Sequence, residues 1–236
     1  MANLWTGGTG MTMNKLTPFA DTILPWLTCV GMFAALAMIF LYVPSEQQQG
    51  IPQRIFYFHL PIALSTYLGF FIVAGASASY LWQGERFSDL LAQAAAEIGM
   101  VFCTLVILTG SLWARPIWGV WWTWDPRLTM VVILWTIYAA YLLLRLFAGD
   151  NEQTARYAAV LGIVGVIDIP ILHIATRLWR GIHPKVETMA PEMMWTLLVC
   201  LGAFVFLFCW LLWLRLRSLS QQDEVAALRR EALASS

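Results

Sequence analysis

The chain has 236 residues; 60% of them are hydrophobic, 12% are charged, and the formal net charge is zero. Soluble domains contain about 45–50% apolar and about 25% charged residues. This composition excludes a disordered chain, a nucleic-acid-binding protein and an ordinary soluble globule. It indicates a membrane protein with little chain left for soluble domains.

Six apolar runs predict an all-α fold: a polytopic membrane protein whose six transmembrane helices form one domain over residues 1–236. A helix needs about 20 apolar residues to cross about 30 Å of hydrocarbon. The first run is longer than the apolar region of a signal peptide, which has about 7–15 residues, so we predict that it is retained as the first span. The predicted spans are residues 23–43, 60–82, 97–113, 128–147, 157–176 and 194–214, followed by a polar tail at residues 215–236.

Six spans place both termini on one side of the membrane and the three odd-numbered loops together on the other. We call these loops the odd-loop face; they comprise residues 44–59, 114–127 and 177–193, and they contain the unusual residue clusters of the chain. The terminal face has eight Lys and Arg residues and the odd-loop face has six, a tie if the distal Arg229 and Arg230 are left out, so the positive-inside rule only leans toward cytoplasmic termini. We therefore expect the odd-loop face on the side away from the cytoplasm.

The first odd loop ends in Phe58-His59-Leu60-Pro61. Pro61 indicates the first turn of the second span, which places His59 near a helix N-terminus. The positive end of the helix dipole disfavours a cationic imidazole there, and a neutral imidazole with a free nitrogen is the form that binds iron. The alternative is a packed or interfacial histidine that only forms hydrogen bonds.

The second odd loop is rich in tryptophan, with five of the chain's 13 between Trp113 and Trp124. One explanation is an interfacial aromatic belt, although belt residues are usually scattered over helix ends. On a helix, positions 118, 121, 122 and 125 would share one face. This spacing predicts an amphipathic segment in the membrane plane whose aromatic surface suits a large planar ligand. Asp125 and Pro126 also fit the N-cap and first residue of the fourth span, which does not exclude a ligand role.

The other two histidines and one acid belong to the fifth span and the loop after it. His183 lies in Gly181-Ile-His-Pro184, where Gly and Pro predict a turn. We interpret His173, near the end of the fifth span, as structural. Asp168 lies well inside that span, where an acid is a functional candidate by default, but it also fits a cap at a helix break beside Pro170. The sequence leaves both interpretations of Asp168 open.

The run Trp118-Gly-Val-Trp-Trp-Thr-Trp-Asp-Pro-Arg-Leu-Thr129 resembles the WWD signature of the membrane haem-handling proteins of cytochrome c biogenesis. The chain length, the six spans and the position of the signature between the third and fourth spans resemble the cytochrome c maturation protein C branch of that family. The resemblance implies that the chain is not an enzyme but holds haem b non-covalently, as cargo, at the periplasmic face of the bacterial inner membrane. It also implies delivery of haem to a periplasmic haem chaperone (CcmE), within a complex with the other ABC-type haem exporter subunits, proteins A (the ATPase), B and D.

The resemblance further implies roles for individual residues of the odd-loop face. The family has one functional histidine in the loop before the second span and one in the loop before the sixth, which match His59 and His183 as axial ligands of the haem iron. Arg makes bidentate contacts to carboxylates, and the arginines that could pair with haem propionates are Arg54, Arg115, Arg127, Arg177 and Arg180. Arg127 is the preferred candidate because it lies inside the motif, with interfacial snorkelling as the alternative for each of them. The motif residues expected to bind haem are Trp118, Trp121, Trp122, Trp124, Asp125 and Arg127.

Two other functions fit a six-span protein. A membrane b-type cytochrome that exchanges electrons with quinone would place paired histidines deep within its spans, whereas the candidate ligands here are expected in loops. A haem-free solute transporter would have its site near the membrane midplane, where Asp168 is the clear acid. The sequence has no C-x-x-C-H for covalent haem attachment and no P-loop, so ATP use is expected in a partner.

Overall fold

The computed structural model describes residues 19–178 and 189–235, apart from the side chains of residues 175–177. Six helices in this part of the chain are long and apolar enough to cross a membrane, and it contains no β-strand. The predicted all-α architecture with six spans is therefore confirmed. The helices are α1, Phe19–Tyr42; α2, Phe56–Gln83; α3, Arg86–Trp118; α4, Pro126–Ala148; α5, Glu152–Leu178; and α6, Pro191–Ala234.

Two helices extend well beyond the apolar runs that predicted them. Helix α3 begins at Arg86, and α6 continues through the polar tail as one helix. Several charged residues in these extensions are paired between helices: Asp89 of α3 binds Arg145 of α4, and Arg215 of α6 binds Glu97 of α3. Pairing removes much of the cost of placing a charge beside the hydrocarbon, so the helices need not end where their apolar runs end.

Helix α2 lies at the centre of the bundle and contacts α3, α5 and α6, while α4 packs on α5 and α1 packs on α6. In the middle of the bundle, Phe70 of α2 stacks on Tyr138 of α4 with ring centroids 3.6 Å apart. The Tyr138 hydroxyl donates a hydrogen bond to the carbonyl of Gly162 in α5 at 3.0 Å. A Cβ on Gly165 would lie 2.9 Å from the same tyrosine ring. Gly165 thus lets α5 approach α4 closely, as small residues do between membrane helices.

An apolar cluster joins the elements at one end of the bundle. It contains Val43 after α1, Phe56 and Tyr57 at the start of α2, Trp113 near the end of α3 and Leu197 near the start of α6. These elements flank the first, second and third odd-numbered loops. The structure therefore brings the ends of the odd loops together, as the six-span topology predicted.

An ion-pair network holds the opposite end of the bundle. Arg145 of α4 makes a bidentate pair with Asp89 of α3, at 2.7 and 2.8 Å, and both side chains are buried. Arg86 binds the same Asp89 and also pairs with Asp150 after α4 and Asp223 of α6. The network therefore connects the start of α3, the α4–α5 loop and the C-terminal part of α6.

Replacing Asp89 with Ala is expected to lower the free energy of unfolding by about 3–5 kcal/mol, because it leaves the buried Arg145 without its counter-charge. The matched control is Glu152→Ala, which breaks an exposed pair with Arg156 and should cost at most about 1 kcal/mol. Unfolding of the purified protein in detergent, driven by a denaturing surfactant, measures both variants. Equal losses would show that the network does not hold this end of the bundle.

Candidate functional site

His59 lies in the first turn of α2, because that helix begins at Phe56. A 3₁₀ turn, Ile51–Ile55, leads directly into the helix and has Pro52 near its start, where the missing N–H of proline costs little. The predicted position of His59 near a helix N-terminus is confirmed. The expected loop position is wrong, since Pro61 lies inside the helix and not at its start.

Three residues of α3 form a socket for the imidazole of His59. The ring atom Nδ1 lies 2.9 Å from Oγ1 of Thr109, at hydrogen-bond distance. A Cβ on Gly110 would lie 3.2 Å from Cε1 of the ring, so the glycine leaves room for that edge. The centroid of the Trp113 ring lies 5.9 Å from that of the imidazole. Since positions 109, 110 and 113 lie on one side of a helix, α3 sets both the position and the tilt of the ring.

The tryptophan segment is a loop and not the amphipathic helix that its spacing predicts. Helix α3 ends at Trp118, and Gly119 follows with φ 76° and its N–H bonded to the carbonyl of Arg115. Glycine adopts this left-handed conformation readily because it has no Cβ, and the conformation ends the helix. Residues 119–125, which we call the Trp loop, are non-helical. The predicted common helical face of positions 118, 121, 122 and 125 is therefore wrong.

The Trp loop exposes part of its aromatic surface. Trp121 is 57% exposed and Trp124 is 73% exposed, whereas Trp118 and Trp122 are half-buried. The rings of Trp122 and Trp124 meet edge to face with centroids 5.7 Å apart. The guanidinium of Arg115 lies 6.0 Å from the Trp121 ring. Two exposed indoles in one short loop form an amphipathic surface that suits contact with an aromatic or apolar ligand.

Asp125 caps the helix that follows the Trp loop. One of its carboxylate oxygens accepts a hydrogen bond from the backbone N–H of Leu128 at 3.0 Å, and Pro126 is the first residue of α4. The N-cap interpretation of this pair is therefore confirmed. The cap fixes the end of the Trp loop against α4 and places Arg127 in the first helical turn.

Arg127 carries a positive charge at the same end of the bundle as the His59 socket. It lies in the first turn of α4, and His59 lies in the first turn of α2. The Nε of Arg127 is buried and has no hydrogen-bond partner among the described residues, and the same holds for Trp122 Nε1 and Thr123 Oγ1. A buried polar group left unpaired costs about 1–3 kcal/mol. Three such groups between Trp122 and Arg127 fit a site that is completed by a ligand with oxygen acceptors, such as carboxylates.

A family model described as Heme exporter protein C matches residues 10–231. The chain belongs to the Heme exporter protein C family. The family predicted from the WWD motif is thus confirmed, and the match extends well beyond that motif to nearly the whole chain.

Several curated relatives carry the name of the Heme exporter protein C family. The protein of Bradyrhizobium diazoefficiens is 37% identical over 71% of this chain and 64% of its own length. That of Haemophilus influenzae is 33% identical over 86% of this chain and 84% of its own. The protein of Escherichia coli K12 is 31% identical over 87% of this chain and 86% of its own length.

The second predicted iron ligand of this Heme exporter protein C family member, His183, lies outside the described residues. Its role therefore stays a prediction. The described chain resumes at Met189, which with Met193 packs against the apolar cluster that contains Phe56 and Trp113. The chain thus rejoins the fold beside the elements that hold His59.

Helix α5 runs unbroken over Glu152–Leu178 with Pro170 inside it, so Asp168 does not cap a helix break. Asp168 is only 7% exposed, and its Oδ2 has no hydrogen-bond partner in the part of the chain that the structure describes. The carboxylate therefore faces the bundle interior. The Nδ1 of His173 lies 2.9 Å from the carbonyl of Ile169, one turn back on the same helix, which fits its interpretation as structural.

Sequence reasoning missed Thr109 and Gly110 as parts of the site. They lie in the apolar third span, and the Thr109 contact joins residues 50 positions apart. A small residue in a membrane helix does indicate a close approach by another group. That signal points to Gly110, but it does not identify His59 as the group that approaches.

Proposed function

We propose that this chain holds haem b non-covalently, as cargo, at the periplasmic face of the bacterial inner membrane and presents it to a periplasmic haem chaperone (CcmE). Membership of the Heme exporter protein C family supports a haem-handling role in cytochrome c biogenesis. The observation that carries the proposal is the convergence of His59, Arg127 and the Trp loop at one end of the bundle. In this role the chain catalyses no bond chemistry of its own.

The proposed axial ligands of the haem iron are His59 and His183. His59 lies in a socket that fixes its ring, and one ring nitrogen contacts Thr109, which leaves the other for a metal. His183 precedes Met189 by six positions, and a chain of that length spans at most about 20 Å. Met189 packs at the same end of the bundle as the His59 socket, which supports the proposal that both histidines bind one iron.

The Trp loop is the proposed contact surface for the macrocycle. Trp121 and Trp124 present exposed indoles, and aromatic rings contribute a large apolar area with specific geometry. Trp118 and Trp122 are half-buried, and Asp125 fixes the end of the loop by capping α4. Haem held on such a surface keeps one edge accessible to the chaperone.

Two arginines are suited to the haem propionates. Arg127 in the first turn of α4 and Arg54 in the 3₁₀ turn before α2 each have a buried Nε without a hydrogen-bond partner among the described residues. A buried N–H without an acceptor is costly, and guanidinium binds carboxylate through parallel hydrogen bonds. The buried donors therefore favour a ligand role for these arginines over interfacial snorkelling.

The energy for export or release comes, in this proposal, from partner proteins. The chain has no G-x-x-x-x-G-K-[ST] motif, so ATP hydrolysis belongs to the ATPase of the haem exporter, which acts with haem exporter proteins B and D. The polar C-terminal part of α6 joins the ion-pair network at the end opposite the Trp loop. We assign that end to the cytoplasmic side, where the ATPase would bind.

The full-length protein, purified in mild detergent from haem-replete cells, is expected to show a Soret band and to capture the purified chaperone. The haem-depleted protein is the control and should capture much less of it. Absence of a Soret band would contradict the proposal in favour of a haem-free transporter. A Soret band with rapid reduction by quinol and no capture of the chaperone would favour a b-type cytochrome.

A further inference from the structure

We infer that Thr109 is a positioning residue that holds His59 as the tautomer protonated on Nδ1, so that Nε2 is the nitrogen presented to iron. The inference deepens the proposed function and rests on its assignment of His59 as an iron ligand. The observations that carry it are the hydrogen bonds of one hydroxyl group and the shape of the α3 socket.

The hydroxyl of Thr109 has a single proton, and its geometry shows where that proton goes. Oγ1 lies 2.7 Å from the carbonyl oxygen of Leu105, one turn back in α3, which is the normal length of an O–H···O hydrogen bond. A carbonyl oxygen can only accept, so the threonine donates to it. The same Oγ1 must then act as the acceptor toward His59, and the Nδ1 at 2.9 Å must carry the proton.

A neutral imidazole protonated on Nδ1 keeps its lone pair on Nε2. Metal-binding histidines characteristically donate their other ring N–H to an acceptor, which fixes the ring orientation and raises the basicity of the ligating nitrogen. Thr109 supplies that acceptor from a transmembrane helix. The contact therefore selects the tautomer before haem arrives.

Gly110 and Trp113 limit the directions in which the ring can turn. A Cβ at position 110 would lie 3.2 Å from Cε1 and 3.8 Å from Nδ1, so α3 passes directly beside the edge of the ring that bonds to Thr109. The buried Trp113 ring lies against the imidazole at a 59° tilt. Because Nδ1 and Cε1 of His59 face α3, Nε2 is the ring nitrogen left for a ligand.

The direct test is the tautomer of His59 in the full-length, haem-free protein. The chain has three histidines, so combining His173→Asn with His183→Asn leaves His59 as the sole one. Histidine labelled with ¹⁵N at Nδ1 then reports one ring by solid-state NMR in bilayers. We expect a protonated, pyrrole-type Nδ1 signal. Thr109→Val should convert it mainly to the pyridine-type signal, and Thr109→Ser should keep it pyrrole-type.

Thr136→Val is the matched control, because Thr136 also donates to a carbonyl one turn back, that of Val132, at 2.8 Å. It should leave the signal of His59 unchanged. A pyridine-type Nδ1 with Thr109 in place would overturn the inference. So would a pyrrole-type signal that persists after Thr109→Val.

Haem binding by the chain with all three histidines separates this inference from the ligand proposal. Thr109→Val should weaken haem binding about 10–100-fold, the usual effect of removing the group that accepts a hydrogen bond from a metal-binding histidine. Thr109→Ser should restore haem binding. If His59→Ala leaves haem binding intact, the ligand proposal fails whatever the tautomer. If His59→Ala abolishes binding but Nδ1 is pyridine-type, the tautomer inference alone fails.

Discussion

Replacing Trp121 and Trp124 together with Ala is expected to weaken haem retention about 30-fold while the protein still inserts into the membrane. Truncation of a tryptophan at the centre of a binding surface costs about 2 kcal/mol or more, which corresponds to that factor. Both indoles are more than half exposed, so their loss removes little packing from the fold. The haem content per protein after purification, and the amount of chaperone captured, are the measurements.

Trp82→Ala is the matched control for the Trp loop. Trp82 is 90% exposed and lies in the last turn of α2, at the end of the bundle opposite the Trp loop. It should retain normal haem content. If the double variant also retains normal haem and captures the chaperone normally, the tryptophans form an interfacial belt and the proposed contact surface is wrong.

The spans were predictable from sequence because a bilayer requires about 20 apolar residues in a row, whatever the neighbouring helices are. The helix ends were not. The predicted third span begins only at residue 97, after the charged Arg86 and Asp89, yet both of these residues bind charged residues of other helices. The sequence contains these charges, but it does not show that they are paired.

In the Trp loop, by contrast, the sequence predicts a helix where the structure has none. Its spacing fits a helical face, but Gly119 in the left-handed conformation ends α3 and Asp125 begins α4. The local signals for these two ends, a glycine and an Asp-Pro pair, are both in the sequence. The periodicity of the tryptophans fits a helix, but the helix stop at Gly119 interrupts that helix.

The composition of the site was only partly predictable. His59 and Arg127 could be named from their motifs, and the structure places both at the odd-loop end of the bundle. The socket residues Thr109 and Gly110 could not be named, because their role depends on how α3 crosses α2. That crossing is set by packing along the whole interface and has no local signature.

His59→Ala and His183→Ala are each expected to abolish six-coordinate haem and to block cytochrome c maturation. Each change removes one of two proposed axial ligands and opens a coordination position on the iron. Added imidazole should partly restore the spectrum, because it fills the vacant position. Cytochrome c yield in cells that express each variant measures the functional loss.

His173→Ala is the control for both ligand variants. Its ring contacts the backbone of its own helix at Ile169, so its loss should cost stability modestly and leave haem binding unchanged. If His173→Ala abolishes haem binding while His183→Ala does not, the ligand pair has been assigned to the wrong residues.

The absorption spectrum of the haem that co-purifies with the full-length protein and its three single histidine variants tests the central claim most directly. Two axial imidazoles predict a six-coordinate, low-spin spectrum for the unchanged protein and for His173→Ala. The same claim predicts a five-coordinate, high-spin spectrum or loss of haem for His59→Ala and for His183→Ala. An identical six-coordinate spectrum in all four proteins would contradict it and would limit the protein's contact with haem to the edge of the macrocycle.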